Sequence, residues 1–435
     1  MDPLPREPIH RITTPLARFL HVEAASGGVL LAAAAVAVLL ANGSGGDDFL
    51  AFWKTPVGFA FGDFEMRHSL QHWINDGLMT VFFFVIGLEV KRELVIGELR
   101  DPRAAALPLA GALGGMFVPA GIYLALQWDQ PGASGWGIPM ATDIAFVVGC
   151  MAVLGSRVPH GLRVLILSLA IADDIGAILV VAFGYTDAIH AGPLTAGLAG
   201  IATVGLLQRL GVRNIGVFTV LGGIIWYCFH ESGVHATIAG VILGLMTPAR
   251  AYLEETSFGR LAEQASAVLS GDEWQATDHR AAKVGQFRRA AREIVSPLEY
   301  LETALHPWVG FLIMPVFALA NAGVPIAASA LTDPVALAIG AGLVVGKPLG
   351  IVLFCFVAVR LGLARLPQNV GWPAIAGIGF LAGIGFTMAL FIASLAVEGD
   401  VLYAAKVGIL GASVLAAAVG LAILATTLKP AAERS

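Results

Sequence analysis

Twelve apolar stretches, each close to the length of a membrane-spanning helix, are the strongest constraint on how this chain can fold. They lie near residues 23–41, 71–90, 104–126, 134–154, 162–184, 191–208, 214–230, 233–247, 305–323, 334–358, 372–397 and 403–428. A helix that crosses a bilayer needs about 20 apolar residues. Only 13% of the residues are charged, roughly half the share that is usual in soluble domains. The sequence therefore predicts an all-α polytopic membrane protein with twelve transmembrane helices.

The positions of the basic residues test this division independently. Of the 26 lysines and arginines, 22 fall in the chain termini and the even-numbered connections between the runs. The odd-numbered connections carry mainly aspartate and glutamate. Because cytoplasmic connections are enriched in lysine and arginine, the alternation predicts twelve spans with both termini in the cytoplasm.

Two connections are long enough to hold structure of their own. The first, residues 42–70, contains the alternating segment TPVGFAFGDFEM, which predicts a small extracytoplasmic β-hairpin. The other, residues 249–297, is rich in Glu, Arg, Gln and Ala and is predicted to be a solvated helical insertion on the cytoplasmic side. We expect one transporter domain over residues 1–435, with spans 1–8 within 23–247 and spans 9–12 within 305–428.

Four ionisable residues lie deep within the apolar runs: Asp143, Asp173, Asp174 and Lys347. A charge at the bilayer centre costs roughly 2.5 to 3.5 kcal/mol on insertion scales, so such residues usually have a function. Neighbouring helix positions point about 100° apart, so the two adjacent aspartates cannot face the same way. One of them is expected to pair with Lys347, while the other binds an ion or a proton. Three further ionisable residues lie near the ends of their runs, where helix capping is as good an explanation as a function: Asp76, Glu89 and Lys406.

Two of the runs are predicted to be interrupted at membrane depth. In the fourth run Pro139 precedes Asp143, and proline prevents a continuous helix. The eleventh run has a cluster of central glycines, for which close helix crossing is the alternative explanation: Gly377, Gly379, Gly383 and Gly385. Interrupted helices survive in a membrane where they are buried in protein or line a cavity. Asp143 is placed to compensate the partial positive charge of their N-terminal ends.

Eight segments resemble the bacterial Na⁺/H⁺ antiporter NhaA family. They are GLEVKREL (87–94), MATDIAF (140–146), IADDIGAI (171–178), SGVHATIAGV (232–241), LHPW (305–308), FALANAGV (317–324), GKPLGI (346–351) and GIGFTM (383–388). The resemblance covers nearly the whole chain. It implies two inverted repeats, formed by spans 3–5 and 10–12, in which the discontinuous spans 4 and 11 cross near the midplane.

The resemblance also implies roles for the deep residues. Asp174 matches the principal Na⁺/Li⁺ ligand, and Asp173 matches the carboxylate that pairs with Lys347. Thr142 and Asp143 match the residues that flank the unwound crossing. The transient Na⁺ or Li⁺ ligands are therefore expected to be Asp174, Asp173 and Thr142.

Other matched positions concern regulation and assembly. The residues expected to act in the pH response are Glu89, Arg92, His235 and Glu302. Glu299 and Thr303 depart from a relative that has lysine and histidine there, so the activating pH range is not expected to carry over. The hairpin region, residues 45–66, matches the family's dimer contact.

The resemblance thus implies an electrogenic, pH-regulated antiporter in the bacterial inner membrane that extrudes Na⁺ or Li⁺ in exchange for external protons. Its expected roles are pH homeostasis and salt tolerance, and neither a cofactor nor nucleic acid is expected to take part. Two alternatives are an intramembrane aspartyl protease, whose Gly-x-Gly-Asp context is absent, and a cation channel, which needs no proton coupling. A zinc-protease motif is excluded because His230 and His235 are five residues apart, not four.

Overall fold

The computed structural model describes residues 23–62, 64–186, 188–250, 295–368 and 370–428. Most of the predicted insertion at 249–297 lies outside these residues, as do the basic residues of both termini. The predictions made for those parts of the chain stay predictions.

The described residues are mostly helical. The part before the predicted insertion forms α1 (Glu23–Ala41), α2 (Gly46–Trp53), β1 (Pro56–Phe61), β2 (Phe64–Ser69), α3 (Leu70–His72), α4 (Met79–Val95), α5 (Pro102–Gln127), α6 (Ile144–Leu154), α7 (His160–Gly184), α8 (Ala191–Arg209), α9 (Ile215–Glu231) and α10 (Thr237–Met246). The part after it forms α11 (Pro297–Trp308), α12 (Met314–Asn321), α13 (Ala328–Leu331), α14 (Pro334–Gly340), α15 (Lys347–Arg360), α16 (Trp372–Ala382), α17 (Phe386–Ala396) and α18 (Gly399–Thr427). Short 3₁₀ segments are Glu98–Arg100, Ala133–Met140 and Gly155–Arg157, and π-helical turns are Trp73–Leu78, Val309–Ile313 and Ala341–Gly346.

Eight helical segments of the described chain are long and apolar enough to cross a membrane. They are Leu70–Val95, Pro102–Gln127, Ala133–Leu154, His160–Gly184, Ala191–Arg209, Pro297–Asn321, Pro334–Arg360 and Gly399–Thr427. The number rises to ten if α1 with α2, and α16 with α17, each count as one bent span. Two further helices, α9 and α10, are apolar but shorter. The chain is therefore a polytopic helical membrane protein.

The strands β1 and β2 form an antiparallel hairpin that connects α2 to α3, with six residue pairs in register. Gly62 has a φ of +61° at the turn, a backbone conformation that glycine adopts without steric cost. The neighbouring turn residue Asp63 lies outside the described residues. The indole Nε1 of Trp73 donates a hydrogen bond of 2.8 Å to the carbonyl of Val57, so the hairpin is fixed to the start of the Leu70–Val95 helix.

Glycines allow two pairs of helices to cross at very short range. A side chain on Gly114 of α5 would overlap the carbonyl of Gly350 in α15, and the reverse is also true. A side chain on Gly87 of α4 would overlap the carbonyl of Val241 in α10, and one on Gly244 of α10 would overlap the carbonyl of Phe84 in α4. Small residues at such contacts are the usual solution in membranes. The first crossing holds Lys347, the first residue of α15, against α5.

The fourth and eleventh helical segments are both interrupted, and their interruptions contact each other. The hydroxyl of Thr142 donates to the carbonyl of Ala382 at 2.8 Å, and the amide of Asp143 donates to the carbonyl of Ile384 at 2.7 Å. α16 and α17 are bent by 47° across the break at residues 383–385. All four residues are buried, so the crossing lies in the protein interior, where an interrupted backbone can be tolerated.

Two explanations were possible for the central glycines of the eleventh run, helix interruption and close helix crossing, and each applies to one pair of them. Gly383 and Gly385 lie at the interruption. Gly377 and Gly379 lie within α16, where a side chain would overlap Leu424 of α18 and Pro348 of α15, respectively. Close helix crossing therefore accounts for the second pair.

Candidate functional site

A buried ion pair occupies the middle of α7. Asp173 and Asp174 are only 1% and 4% exposed, and Lys347 is fully buried. The ammonium of Lys347 lies 2.9 Å from Oδ1 and 2.8 Å from Oδ2 of Asp173. The structure therefore decides which carboxylate contacts the lysine, a question that residue spacing alone left open.

Lys347 makes a second contact that links the ion pair to the interrupted fourth segment. Its ammonium also donates to the carbonyl of Met140, the last residue of the 3₁₀ segment Ala133–Met140. Terminal carbonyls of a helical segment carry partial negative charge, so a cation there is stabilising. Lys347 thus balances both Asp173 and the end of a half-helix.

Asp174 has different surroundings from its neighbour. It faces a cavity of about 450 Å³ together with Thr142, Asp143 and Glu89. Within the described residues, the Asp174 carboxylate forms no hydrogen bond and no ion pair. Arg92, whose side chain is 44% exposed, also lines this cavity. The cavity, which we call the aspartate cavity, therefore runs from a partly exposed rim to a buried carboxylate.

A larger cavity of about 640 Å³ lies nearby, against the 3₁₀ segment Glu98–Arg100 and α7. It shares Glu93 and Leu167 with the aspartate cavity but contains none of the deep ionisable residues. Cavity volume alone therefore does not identify the candidate ion site. The ionisable residues that line the aspartate cavity make this smaller cavity the better candidate.

Asp143 lies where two helices begin. Its carboxylate accepts a hydrogen bond of 3.2 Å from the amide of Phe146 in α6 and one of 3.1 Å from the amide of Thr387 in α17. The hydroxyl of Thr387 also donates to it. A carboxylate at two helix N-termini offsets the partial positive charge of both. Sequence reasoning singled out Asp143 but missed Thr387, although Thr387 lies within the quoted segment GIGFTM.

The four residues expected to regulate transport are only partly brought together. Arg92 and Glu302 form an ion pair, and Glu89 lines the same cavity. The departing residue Thr303 also lines it. His235 lies elsewhere, at the start of α10, where its Nδ1 is 2.8 Å from the hydroxyl of Thr237.

Of the two adjacent carboxylates, that of Asp173 contacts Lys347 and that of Asp174 faces the aspartate cavity. Hard cations such as Na⁺ prefer carboxylate, hydroxyl and carbonyl oxygens, which Asp174 and its surroundings can provide. A proton binds to the same carboxylate oxygens. Asp174 therefore has the chemistry of a site for which Na⁺ and H⁺ compete.

Comparison with known proteins agrees with this chemistry. The sequence model of the family described as Na⁺/H⁺ antiporter 1 matches residues 17–424. The chain is 55% identical to the Na⁺/H⁺ antiporter NhaA of Rhodopirellula baltica over 98% of its own length and 97% of the relative's. It is 53% identical to NhaA of Rhizobium meliloti over 98% of both chains, and 48% identical to NhaA 2 of Vibrio vulnificus over 96% and 93%.

These similarities confirm the predicted family and the predicted exchange of Na⁺ for H⁺. They exclude the protease alternative, because the matched proteins are transporters, and they also argue against an uncoupled channel. The chain belongs to the NhaA family of Na⁺/H⁺ antiporters, and it is a transporter of the bacterial membrane, not an enzyme.

Proposed function

We propose that Asp174 is the group at which Na⁺ or Li⁺ exchanges with protons, and that transport is electrogenic and regulated by pH. The observation that carries this proposal is the asymmetry of the two adjacent carboxylates. Asp173 is engaged by Lys347, whereas Asp174 faces the aspartate cavity with no hydrogen bond or ion pair among the described residues. Only the second carboxylate is free to accept an ion that arrives through the cavity.

In this mechanism Na⁺ from the cytoplasm binds to the Asp174 carboxylate, with Thr142 as a further oxygen donor and Asp173 as another when its pair with Lys347 opens. Rocking of the helices around the crossing of the fourth and eleventh spans then opens the site to the other side. A proton from outside neutralises Asp174 and releases the cation. The carboxylates of Asp173 and Asp174 interact, so they titrate as one coupled system.

The Asp173–Lys347 pair is proposed to be the second titrating unit. When a proton binds to this pair, the attraction between its members is lost, so the pair can open and close during the transport cycle. Two protons returned for each Na⁺ would move net charge across the membrane. The membrane potential would then help to drive Na⁺ extrusion, which supports the expected roles in pH homeostasis and salt tolerance.

The direct test uses everted membrane vesicles from a bacterial strain that lacks its own Na⁺/H⁺ antiporters. Addition of Na⁺ or Li⁺ to vesicles with the unmodified protein should collapse a preformed pH gradient. Asp174→Asn should abolish both responses, because the amide removes the negative charge that binds the cation. Asp129→Asn is the matched control, since Asp129 is an exposed loop residue. An unchanged response in Asp174→Asn would contradict the assignment.

Electrogenicity has a separate test in proteoliposomes. An imposed membrane potential should accelerate Na⁺-driven proton movement in one direction and slow it in the other. An exchange rate that is independent of the potential would show that the exchange is electroneutral. That result would leave the role of Asp174 intact and remove only the proposed stoichiometry.

Regulation is proposed to act at the rim of the aspartate cavity, through Glu89, Arg92 and Glu302, with His235 acting from the start of α10. The Arg92–Glu302 ion pair supports this idea because it joins the Leu70–Val95 helix to α11 at the cavity mouth. Protonation of Glu302 would weaken that link. Antiport measured in proteoliposomes over a range of pH should therefore change its pH profile in Arg92→Gln.

The proposed topology has twelve spans, with both termini in the cytoplasm and the chain in the inner membrane. It counts α1, the bent pair α16 and α17, and the shorter helices α9 and α10 as one span each, added to the eight long segments. Spans 1–8 and spans 9–12 form one transporter domain, connected by residues 249–297. Accessibility of single cysteines introduced into successive connections would test this order.

A homodimer through the hairpin region is the proposed assembly. A two-stranded hairpin has open hydrogen-bonding edges and is marginal alone, so it gains stability from a partner strand. Removal of residues 56–69 should shift the purified protein from dimer to monomer in light scattering. A dimer that persists without the hairpin would place the interface elsewhere.

A further inference from the structure

Three histidines meet at the end of the Leu70–Val95 helix that is opposite Arg92. His68 lies near the end of β2, His72 in α3, and His230 near the end of α9. Their ring centroids are separated by 4.3 Å (His68 to His72), 5.1 Å (His68 to His230) and 5.4 Å (His72 to His230). One ring nitrogen from each lies within 4.8 Å of those of the other two.

A carboxylate faces two of these imidazoles. Asp76 is one helical turn after His72, so both side chains lie on the same face of the helix. Its Oδ2 is 3.6 Å from Nε2 of His72 and 3.3 Å from Nδ1 of His230. The Asp76 side chain is only 13% exposed, so its charge is poorly screened by water.

The Nε2 atom of His72 is a second, independent indication of a ligand. The atom is buried, and no described residue lies within hydrogen-bond distance of it, since even Oδ2 of Asp76 is 3.6 Å away. The side chain as a whole is partly exposed. A buried polar atom left without a partner typically costs about 1–3 kcal/mol. A bound cation would satisfy it.

The ligand type points to one class of cation. Neutral imidazole nitrogens suit Zn²⁺ and similar transition-metal ions, whereas Na⁺ and Mg²⁺ prefer oxygen. With Zn–N bonds of about 2.0–2.1 Å, tetrahedral ligand atoms lie roughly 3.4 Å apart. The present spread of up to 4.8 Å closes through side-chain movements on the order of 1 Å. A carboxylate that holds a ligating histidine is a common feature of zinc sites.

We propose that His68, His72 and His230 bind Zn²⁺ or a similar divalent transition-metal ion, with Asp76 orienting His230 through its Nδ1. The site is distinct from the aspartate cavity and lies at the end that the proposed topology places outside the cell. A metal ion there connects the hairpin to α9 and to the Leu70–Val95 helix. The hairpin is thereby clamped to the transport helices.

The test uses the full-length purified protein without a polyhistidine tag, stripped of metal with a chelator. Titration with ZnCl₂, followed calorimetrically, should show one saturable site per chain. His72→Gln and His230→Gln should each weaken this binding by at least about 100-fold, and Asp76→Asn by roughly 10-fold, the range for changes around a metal site. His160→Gln is the matched control, because His160 is an exposed residue at the start of α7.

Two measurements keep the test decisive if a variant folds poorly. Zn²⁺ should raise the thermal unfolding midpoint of the unmodified protein, because a ligand that binds the native state stabilises it. CoCl₂ should give the intense visible absorption of tetrahedral, histidine-bound Co²⁺ in the unmodified protein. Absence of saturable zinc binding, a weak octahedral cobalt spectrum, or undiminished zinc binding in both histidine variants would each overturn the proposal.

Discussion

The buried Asp173–Lys347 pair is expected to make a large and measurable difference to stability when one partner is removed. Lys347→Met removes the only cation that contacts Asp173 among the described residues and keeps a side chain of similar length. Both partners are at most 1% exposed, so water cannot replace the lost contact. Removing one member of a buried pair typically costs about 3–5 kcal/mol. The lost bond from Lys347 to the carbonyl of Met140 adds to this cost.

The second half of the experiment removes the remaining charge. In the double variant Lys347→Met/Asp173→Leu, no unpaired charge is left, and replacement of a whole buried pair by apolar side chains is often close to neutral. We therefore expect the double variant to be more stable than Lys347→Met alone. The difference in stability between the single and the double variant measures the cost of leaving the Asp173 carboxylate buried without a partner. It does not measure the net contribution of the Asp173–Lys347 ion pair.

The assay is thermal unfolding of the purified protein in detergent. For a chain of this length 1 kcal/mol corresponds to a midpoint shift on the order of 1 °C, so Lys347→Met should lower the midpoint by roughly 3–5 °C. The deficit should shrink at acidic pH, because protonation of the unpaired Asp173 removes its charge. Lys54→Met, at an exposed loop position, serves as control. A single variant as stable as the control, or a double variant no more stable than the single one, would show that the unpaired Asp173 carboxylate carries no such penalty.

Three further predictions concern packing and the cavity rim. Thr387→Val should lower stability by about 1.5–3 kcal/mol in the same assay, because Asp143 loses the hydrogen bond from the Thr387 hydroxyl. Thr387→Ser keeps a hydroxyl and should retain most of this stability. Gly350→Ala should cost about 1–3 kcal/mol through overlap with α5, whereas Gly121→Ala, with open space around it, should be nearly neutral. Glu302→Gln should alter the pH profile of antiport but change stability by less than about 1 kcal/mol, because its partner is partly exposed.

Several features of the site were accessible from sequence because their causes are local. Apolar run length and the side preference of arginine and lysine act within one segment or one connection, so membrane insertion and the approximate segments follow directly. Pro139 likewise predicts an interruption by removing a backbone donor within its own helix. The need for a cation near two buried aspartates also follows from the cost of a lone charge.

Other features depend on contacts between distant parts of the chain. Lys347 is 174 residues from Asp173, and Thr387 is 244 residues from Asp143. In the sequence His230 has only His235 as a nearby histidine, whereas the folded chain places it beside His72. No periodicity within one helix encodes such pairings, because they depend on how the helices cross.

The amino-acid sequence alone therefore predicts a polytopic helical membrane protein, its interrupted spans and a set of deep ionisable residues that includes a lysine. Residue spacing left open which aspartate contacts Lys347, the family resemblance implied Asp173, and the tertiary structure shows Asp173 at the lysine and Asp174 at the cavity. The physical reason is that hydrophobicity and charge act on each segment separately, while the close glycine-mediated crossing of α5 and α15 fixes where the Lys347 ammonium can reach. Asp174, the next residue of α7, faces the aspartate cavity instead.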